Sequence, residues 1–330
     1  MKLLRIIVAT FLIFSIVFTF TVGRYKISEG GVDTTPTEYK GIISVWQVDS
    51  FEGGAGSRKQ FLLKAARGYE KLNDGVLVMV TDYTVDGVKK ALDSGLRPDM
   101  ISFGCGVEIT GFSELNIDRN TRGGMVGGKT YAVAWCRGGY VLIANPTLTE
   151  EIPDELDSLV VSQGEYTQPI TALALEGITA KNVEIKSPMD AYVKFVAGKI
   201  PYFLGTQRDI VRLSNRGFDV SVRPLENYND LYQYVSITGQ DELKRFYAES
   251  FINYLLSDTV QQKLTDISML SPYIDVEHEN KHLSSMQKVK EGRTVSAFIQ
   301  QEILKEMQSN STMLLSGDKN ALNKIKNILV

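Results

Sequence analysis

The stretch that most constrains the fold is 198–209, where an apolar run, Ile200 to Leu204, stands directly before Gly205, Thr206, Gln207, Arg208 and Asp209. Ile210, Val211 and Leu213 then resume at helical spacing. The pattern reads as strand, polar turn and helix. Such a unit presents ligands, because backbone N–H groups and helix starts converge at the carboxyl ends of strands in an open α/β sheet. Upstream, residues 188–199 read as a helix ending at Gly198, and downstream 218–225 alternate apolar and polar residues as a half-buried strand does.

The same grammar runs through the chain from Gly41 on. Residues 41–48 form a β-branched first strand, followed by a glycine-rich turn with Gly53, Gly54 and Gly56. Ser57 can cap a helix whose apolar face is Phe61, Leu62, Ala65, Ala66 and Tyr69, and its N–H groups can hold a polar or anionic group. Residues 75–83 are a second strand, a short helix follows, and 97–104 carry a third strand into Cys105 and Gly106. This alternation predicts a parallel sheet with helices on both faces. Two strand-like runs, 130–135 and 140–144, flank a break at 136–139 that suggests passage from one lobe to another. A helical stretch is expected after Pro146, then a helix from Ile170 behind a polar turn carrying Tyr166. After a Tyr-rich segment, 241–264 is an amphipathic helix with apolar Leu243, Phe246, Phe251, Ile252, Leu255 and Leu256, and further helices close the chain.

A chain of 330 residues is long enough for two lobes, each with its own core. Its net charge of −3 gives no basic face for nucleic acid, so no nucleic-acid partner is expected. Lys2 and Arg5 precede an uncharged run, 6–22, that reads as an export segment, either cleaved near Gly23 or retained as a membrane anchor. Residues 25–39 read as a flexible tether.

Two local motifs match known chemistry without its context. Residues 123–130, GGMVGGKT, satisfy the phosphate-loop spacing, but a polar segment precedes them and a strand follows, so they read as a turn. His278 and His282, the only histidines, form HENKH, the zinc-peptidase spacing; Asn280 and Lys281 stand where that helix needs apolar residues, and no further histidine is available. An exported zinc metallopeptidase is therefore the rival reading, opposed by a plain surface turn.

The order of the segments at 41–54, 97–104, 127–148, 197–209, 220–225, 246–264, 271–273 and 313–325, behind an export signal, resembles the extracellular solute-binding proteins of ABC importers, in the sugar-binding branch. The resemblance implies an α/β, two-lobed periplasmic-binding-protein-like fold, each lobe a mostly parallel sheet flanked by helices, with the ligand cleft at a multi-strand hinge. It implies lobe 1 from 40–134 and 228–270 and lobe 2 from 135–227 and 271–330, after a signal or anchor over 1–24. The crossings are expected near 131–137, 223–227 and 270–273. The protein is then no enzyme and needs no cofactor. Its partners are a small solute, most naturally a carbohydrate and conceivably an acidic one, and the permease subunits at the outer face of the cytoplasmic membrane, and it acts as a monomer. A sensor subunit for a membrane kinase is a second rival.

Carried over position by position, the cleft is expected to use Trp46, Asp49, Glu52, Ser57, Arg58, Gly104, Cys105, Trp135, Arg137, Tyr166, Thr206, Gln207 and Arg208. Trp46, Trp135 and Tyr166 offer aromatic faces, although packing in the core or hinge is the rival reading of both Trp residues, and Asp49, Glu52, Gln207 and Arg208 offer planar hydrogen-bonding groups. Gln207 stands where many sugar binders carry a stacking Trp. Arg137 and Arg208, with the Ser57 helix start, point to an acidic sugar or another anion, unless Arg208 pairs with Asp209 or caps the lobe instead. Cys105 and Cys136 are expected near the cleft floor, as a disulfide or as two thiols.

Overall fold

The computed structural model describes residues 39–330 other than 120, 121, 150, 240, 290 and 291. The expected export segment and nearly all of the tether lie outside the described residues.

Strand β1 (Gly41–Val48) pairs in parallel with β2 (Val76–Tyr83) on one side and β3 (Met100–Phe103) on the other. Helix α1 (Arg58–Glu70) connects the first two, with the Ser57 hydroxyl accepting from the Gln60 N–H at 3.3 Å and Phe61, Leu62, Ala65, Ala66 and Tyr69 buried. Helix α2 (Val85–Asp93) connects the next pair, capped in the same way by Thr84. The phosphate-loop pattern is a hairpin: β4 (Met125–Val126) and β5 (Lys129–Thr130) pair antiparallel about Gly127 and Gly128, both at positive φ. That geometry leaves no helix start to face a phosphate. Strand β6 (Val133–Arg137) ends this first part of the chain.

After Gly138 and Gly139 the chain builds a second sheet from β7 (Tyr140–Ala144), β8 (Glu155–Ser162), β9 (Thr179–Lys186), β10 (Tyr202–Thr206) and β11 (Ser221–Pro224). Helices α3 (Pro169–Glu176), α4 (Pro188–Val196) and α5 (Gln207–Ser214) lie between them. Strand β12 (Tyr232–Ile237) then returns to the first sheet. The strand orders are β2-β1-β3-β12-β6 and β9-β8-β10-β7-β11. In each sheet the fourth strand, β12 or β7, runs antiparallel to both neighbours while the other strands share one direction. The two sheets therefore repeat one topology, and in each the odd strand follows a crossing from the other sheet.

Two expectations change here. The segment after Pro146 contains β8 rather than a helix: Leu156, Leu159, Val160 and Val161 are buried, and β8 lies between β9 and β10. Residues 205–209 are not a turn, because β10 runs through Thr206 and α5 begins at once at Gln207. The Asp209 carboxylate accepts from the Thr206 N–H at 2.9 Å, which satisfies that donor at the helix start and removes the need for a loop. The Tyr-rich segment holds β12, all of whose residues are buried.

The helix expected over 241–264 divides into α6 (Glu242–Leu255) and α7 (Asp258–Gln261), with a 3-10 turn to Ile267. Phe246, expected on its apolar face, is exposed; Tyr247 and Ala248 take the inward positions with Phe251, Ile252 and Leu255. Leu270 then bridges Arg137 main chain to main chain. Beyond it, α8 (Lys281–Lys288) packs on α5 and β11, and α9 (Gln301–Leu315) packs on α3, where Thr171 and Ser311 share a hydrogen bond of 2.8 Å. Helix α10 (Asn320–Ile328) packs on α9.

Candidate ligand-binding cleft

The carboxyl ends of β1, β8 and β10 converge on one cavity of about 450 Å³. From the turn after β1 come Asp49, Glu52 and Ser57, with Arg58 opening α1; Ser162 ends β8 and Thr167 follows it; Thr206 and Arg208 stand at the β10–α5 junction. Strand ends from two sheets of the same topology are where an α/β fold gathers free N–H groups and helix starts.

The charged groups form two sets. Arg58, only 3% exposed, places Nη2 2.6 Å from Asp49 Oδ1 and donates to the Phe51 carbonyl, with its guanidinium carbon 4.3 Å from the Phe51 ring centroid. Glu52 reaches from the first sheet to α5 in the second, 3.6 Å from Arg208 Nε and 3.2 Å from Arg212 Nη2. Arg208 also donates to the Gly54 carbonyl at 3.3 Å. The turn after β1 is thus tied across the cleft to α5, while the backbone of Gly54 and Gly56 rests on Ile267 and Ser268.

Of the residues expected from sequence, the cavity lining brings together Asp49, Glu52, Ser57, Arg58, Thr206 and Arg208. The others sit elsewhere for definite reasons. Trp46 is buried against Tyr83, centroids 4.6 Å apart, and Trp135 is fully buried, stacked on Phe61 with Nε1 donating to Ser102 Oγ at 2.9 Å. Both indoles belong to the packing of the first sheet. Tyr166 is buried against Gly106, beside Leu304. Gln207 has no exposed surface: its Oε1 accepts from the Gly139 N–H at 3.0 Å and its N–H donates to the Gly139 carbonyl at 3.2 Å, pinning the first crossing to α5. Arg137 is equally structural, donating to the carbonyls of Ser271, Met286 and Gln287 and so joining the first and third crossings. Gly104 lies against Ser50 below the cavity. Cys105 and Cys136 are buried free thiols, so no disulfide crosses the hinge; burial pushes both thiols up from their ordinary range.

The sequence reading missed Ser50, Phe51, Ser162, Thr167 and Leu231 as lining residues. A strand at 155–162 would have pointed to Ser162 and Thr167 as residues at its carboxyl end. Nothing local marks Leu231, which follows a crossing between sheets.

Two buried carboxyls lie nearby. Burial raises Asp209 to about 6 against the pull of its Thr206 and Arg212 partners. Burial likewise raises Asp230 to about 7, although Tyr140 donates to its Oδ1 at 2.6 Å. The HENKH segment is a turn leading into a helix: His278 precedes α8 and donates its main-chain N–H to Ser284 Oγ at 2.9 Å, while Asn280 caps α8 by accepting from the His282 N–H. The two histidines therefore do not share a helical face as zinc ligands must. Among the described residues no group of three His, Cys, Asp or Glu side chains is placed to hold a metal.

The sequence matches no family model and no curated protein. Its fold matches solved structures over nearly their whole length. The GacH receptor of Streptomyces glaucescens, solved unliganded and with acarbose, aligns with a TM-score of 0.57 at 15% identity, covering 88% of this chain and 98% of that one. The sugar-binding protein MalE from Xanthomonas citri gives 0.60 at 11% identity, with 87% and 95% covered. The cyclic alpha-maltosyl-1,6-maltose binding protein from Arthrobacter globiformis gives 0.59 at 10% identity, with 87% and 97% covered. With two sheets of one topology, three crossings and a cavity at the strand ends between them, the chain has the two-lobed periplasmic-binding-protein-like fold of these binding proteins.

Proposed function

We propose that this protein captures a small extracellular solute, a carbohydrate, between its two lobes and delivers it to the permease of an ABC importer. The observation that carries the reading is the cavity itself, whose polar and charged lining is drawn from both sheets at the strand ends. A ligand there touches both lobes at once. Its differential affinity for the closed arrangement shifts the population toward that form, and no bond needs to be made or broken. The likeness in fold to sugar-binding proteins supports a saccharide, and the apolar run after Lys2 and Arg5 supports export to the outer face of the cytoplasmic membrane. The same reading makes the protein a monomer that docks on the permease in its closed form.

A thermal-shift screen of the full-length chain against neutral sugars, uronic acids, other small anions and divalent metals tests this. A ligand bound only by the folded state at a hundred times its Kd adds about 2.7 kcal/mol of stability. A saccharide is expected to raise the melting temperature by roughly 5 °C on that scale. Stabilisation by zinc alone, with no response to any saccharide, would overturn the reading.

Arg208 is the sharpest single residue. Its ion pair with Glu52 is partly exposed on both sides, so Arg208→Ala is expected to cost less than about 1 kcal/mol of stability. Loss of a charge-assisted contact to the ligand lowers affinity about tenfold or more. A folded variant with undiminished affinity removes Arg208 from the site.

A further inference from the structure

We infer that the cleft is built for a solute carrying a carboxylate on one or two sugar rings, rather than for a neutral oligosaccharide. The inference rests on the carbohydrate reading above and narrows it.

The aromatic surface comes first. Neutral pyranose chains are held largely by stacking on exposed aromatic faces. Here Trp46 and Trp135 are packed into the first sheet and Tyr166 is outside the lining, which leaves Phe51. Phe51 is itself 8% exposed and its ring is covered by the Arg58 guanidinium. The cavity therefore offers no open aromatic platform among the described residues.

Its buried polar inventory points the same way. Arg58 lines the cavity and is 97% buried; Nη2 is engaged by Asp49 and the Phe51 carbonyl, but Nη1 has no hydrogen-bond partner. Ser50 Oγ is also buried without a partner, and Arg208 Nε stands 3.6 Å from Glu52, beyond hydrogen-bond reach. These atoms are guanidinium donors and a hydroxyl. The lining carboxylates, Asp49 and Glu52, are already held by Arg58 and by Arg208 with Arg212. The unpartnered guanidinium N–H groups are what lack acceptors, and a buried donor without one is costly enough that a ligand supplying it gains strongly. Arg58 also opens the 13-residue α1, whose first turn carries no acidic side chain to neutralise its positive end. Arg58 is itself the first residue of α1 and lines the cavity, so a carboxylate bound beside it meets a guanidinium and a helix start together. The sugar hydroxyls can then bridge Ser50, Thr206 and the outer oxygens of Asp49 and Glu52. A volume of about 450 Å³ suits one or two rings.

The test is titration calorimetry on the full-length chain with D-glucuronate, D-galacturonate and digalacturonate against D-glucose, D-galactose and maltotriose. The uronates are expected to bind about tenfold to a hundredfold tighter than their neutral counterparts, as a charge-assisted contact implies. That margin shrinks as salt is raised. Arg58→Gln is expected to abolish the margin; because this substitution also removes the Asp49 pair, Arg58→Lys, which keeps the charge and loses the fork, is measured beside it and is expected to retain part of it. Neutral sugars binding as tightly as uronates, or tighter, overturn this inference and leave the carbohydrate reading standing. Failure of every saccharide to bind overturns both.

Discussion

Gly54→Ala is expected to lower the melting temperature by at least about 6 °C and to weaken ligand binding, whereas Gly53→Ala, one residue away, changes the melting temperature by no more than about 1 °C. The contrast comes from what a methyl group meets. At position 54 a Cβ would stand 1.8 Å from the Ile267 carbonyl oxygen and 2.6 Å from that of Ser268. Both are backbone atoms and cannot swing aside. The turn after β1 must lift away from the 3-10 turn that ends at Ile267. Forced overpacking of this kind costs roughly 3 kcal/mol, and each kcal/mol is worth about 2 °C in a chain of this size. At position 53 the nearest atom would be Arg58 Nε at 3.6 Å, an ordinary contact with a side chain. Binding suffers at position 54 because the Gly54 carbonyl accepts from Arg208 and the same turn carries Asp49, Glu52 and Arg58. Thermal melts of both variants with and without ligand check this. A Gly54→Ala protein that melts within about 2 °C of the parent would show that the turn is not held as described.

Much of the first sheet was legible because its strands are β-branched runs that stop at polar or glycine-rich turns, and because Ser57 marks the start of the helix after β1. The gathering of Asp49, Glu52, Ser57, Arg58, Thr206 and Arg208 was legible for a related reason: parallel strands bring their carboxyl ends to one edge, so residues at the ends of β1 and β10 are candidates from the strand pattern alone. What stayed hidden is which way a side chain faces in a strand covered on both sides. Every residue of β6 is buried, so alternation gives no signal and Trp135 could be placed on the cleft or in the core with equal reason. Gln207 was misplaced by a different mechanism. The capping carboxylate of Asp209 starts α5 directly after the strand, and the glutamine then turns toward the crossing at Gly138 and Gly139 instead of the cleft. Strand β8 was hidden because ELDSLVVS neither alternates nor is apolar throughout, and its membership in the sheet is decided by β9 and β10 beside it.

Asp230 is expected to make the protein less stable as pH rises from about 4 to about 8, and Asp230→Asn is expected to remove that dependence. The residue lies in the second crossing, between β11 and β12, where Asn229 donates to the Gly138 carbonyl and the Gly138 N–H donates to the Leu231 carbonyl, so two crossings are joined at this point. Its carboxyl is buried among the hydroxyls of Tyr140 and Tyr228, with the Cys105 thiol nearby; Tyr140 in turn accepts from the Gln168 N–H at 2.8 Å. Among the described residues no cation offsets the loss of water. Burial therefore favours the neutral acid and raises it from 3.8 to about 7. The sign follows from linkage. Between these two values the folded chain holds a proton that the unfolded chain has released, so stability is highest below about 4 and falls until the folded group ionises near 7. The span corresponds to a ceiling of about 4 kcal/mol, or roughly 8 °C in melting temperature. Asparagine keeps an oxygen to accept from Tyr140 and carries no charge at any pH. Asp209, raised to about 6 for the same reason, titrates in both proteins, so the decisive quantity is the difference between their melting curves. That difference should grow in favour of the variant from pH 4 to pH 8; a flat difference would mean that Asp230 ionises as readily in the hinge as in water. Because Leu231 lines the cavity one residue further on, the charge that strains the crossing at high pH also disturbs the cleft floor, and ligand affinity in the parent should decline over the same range.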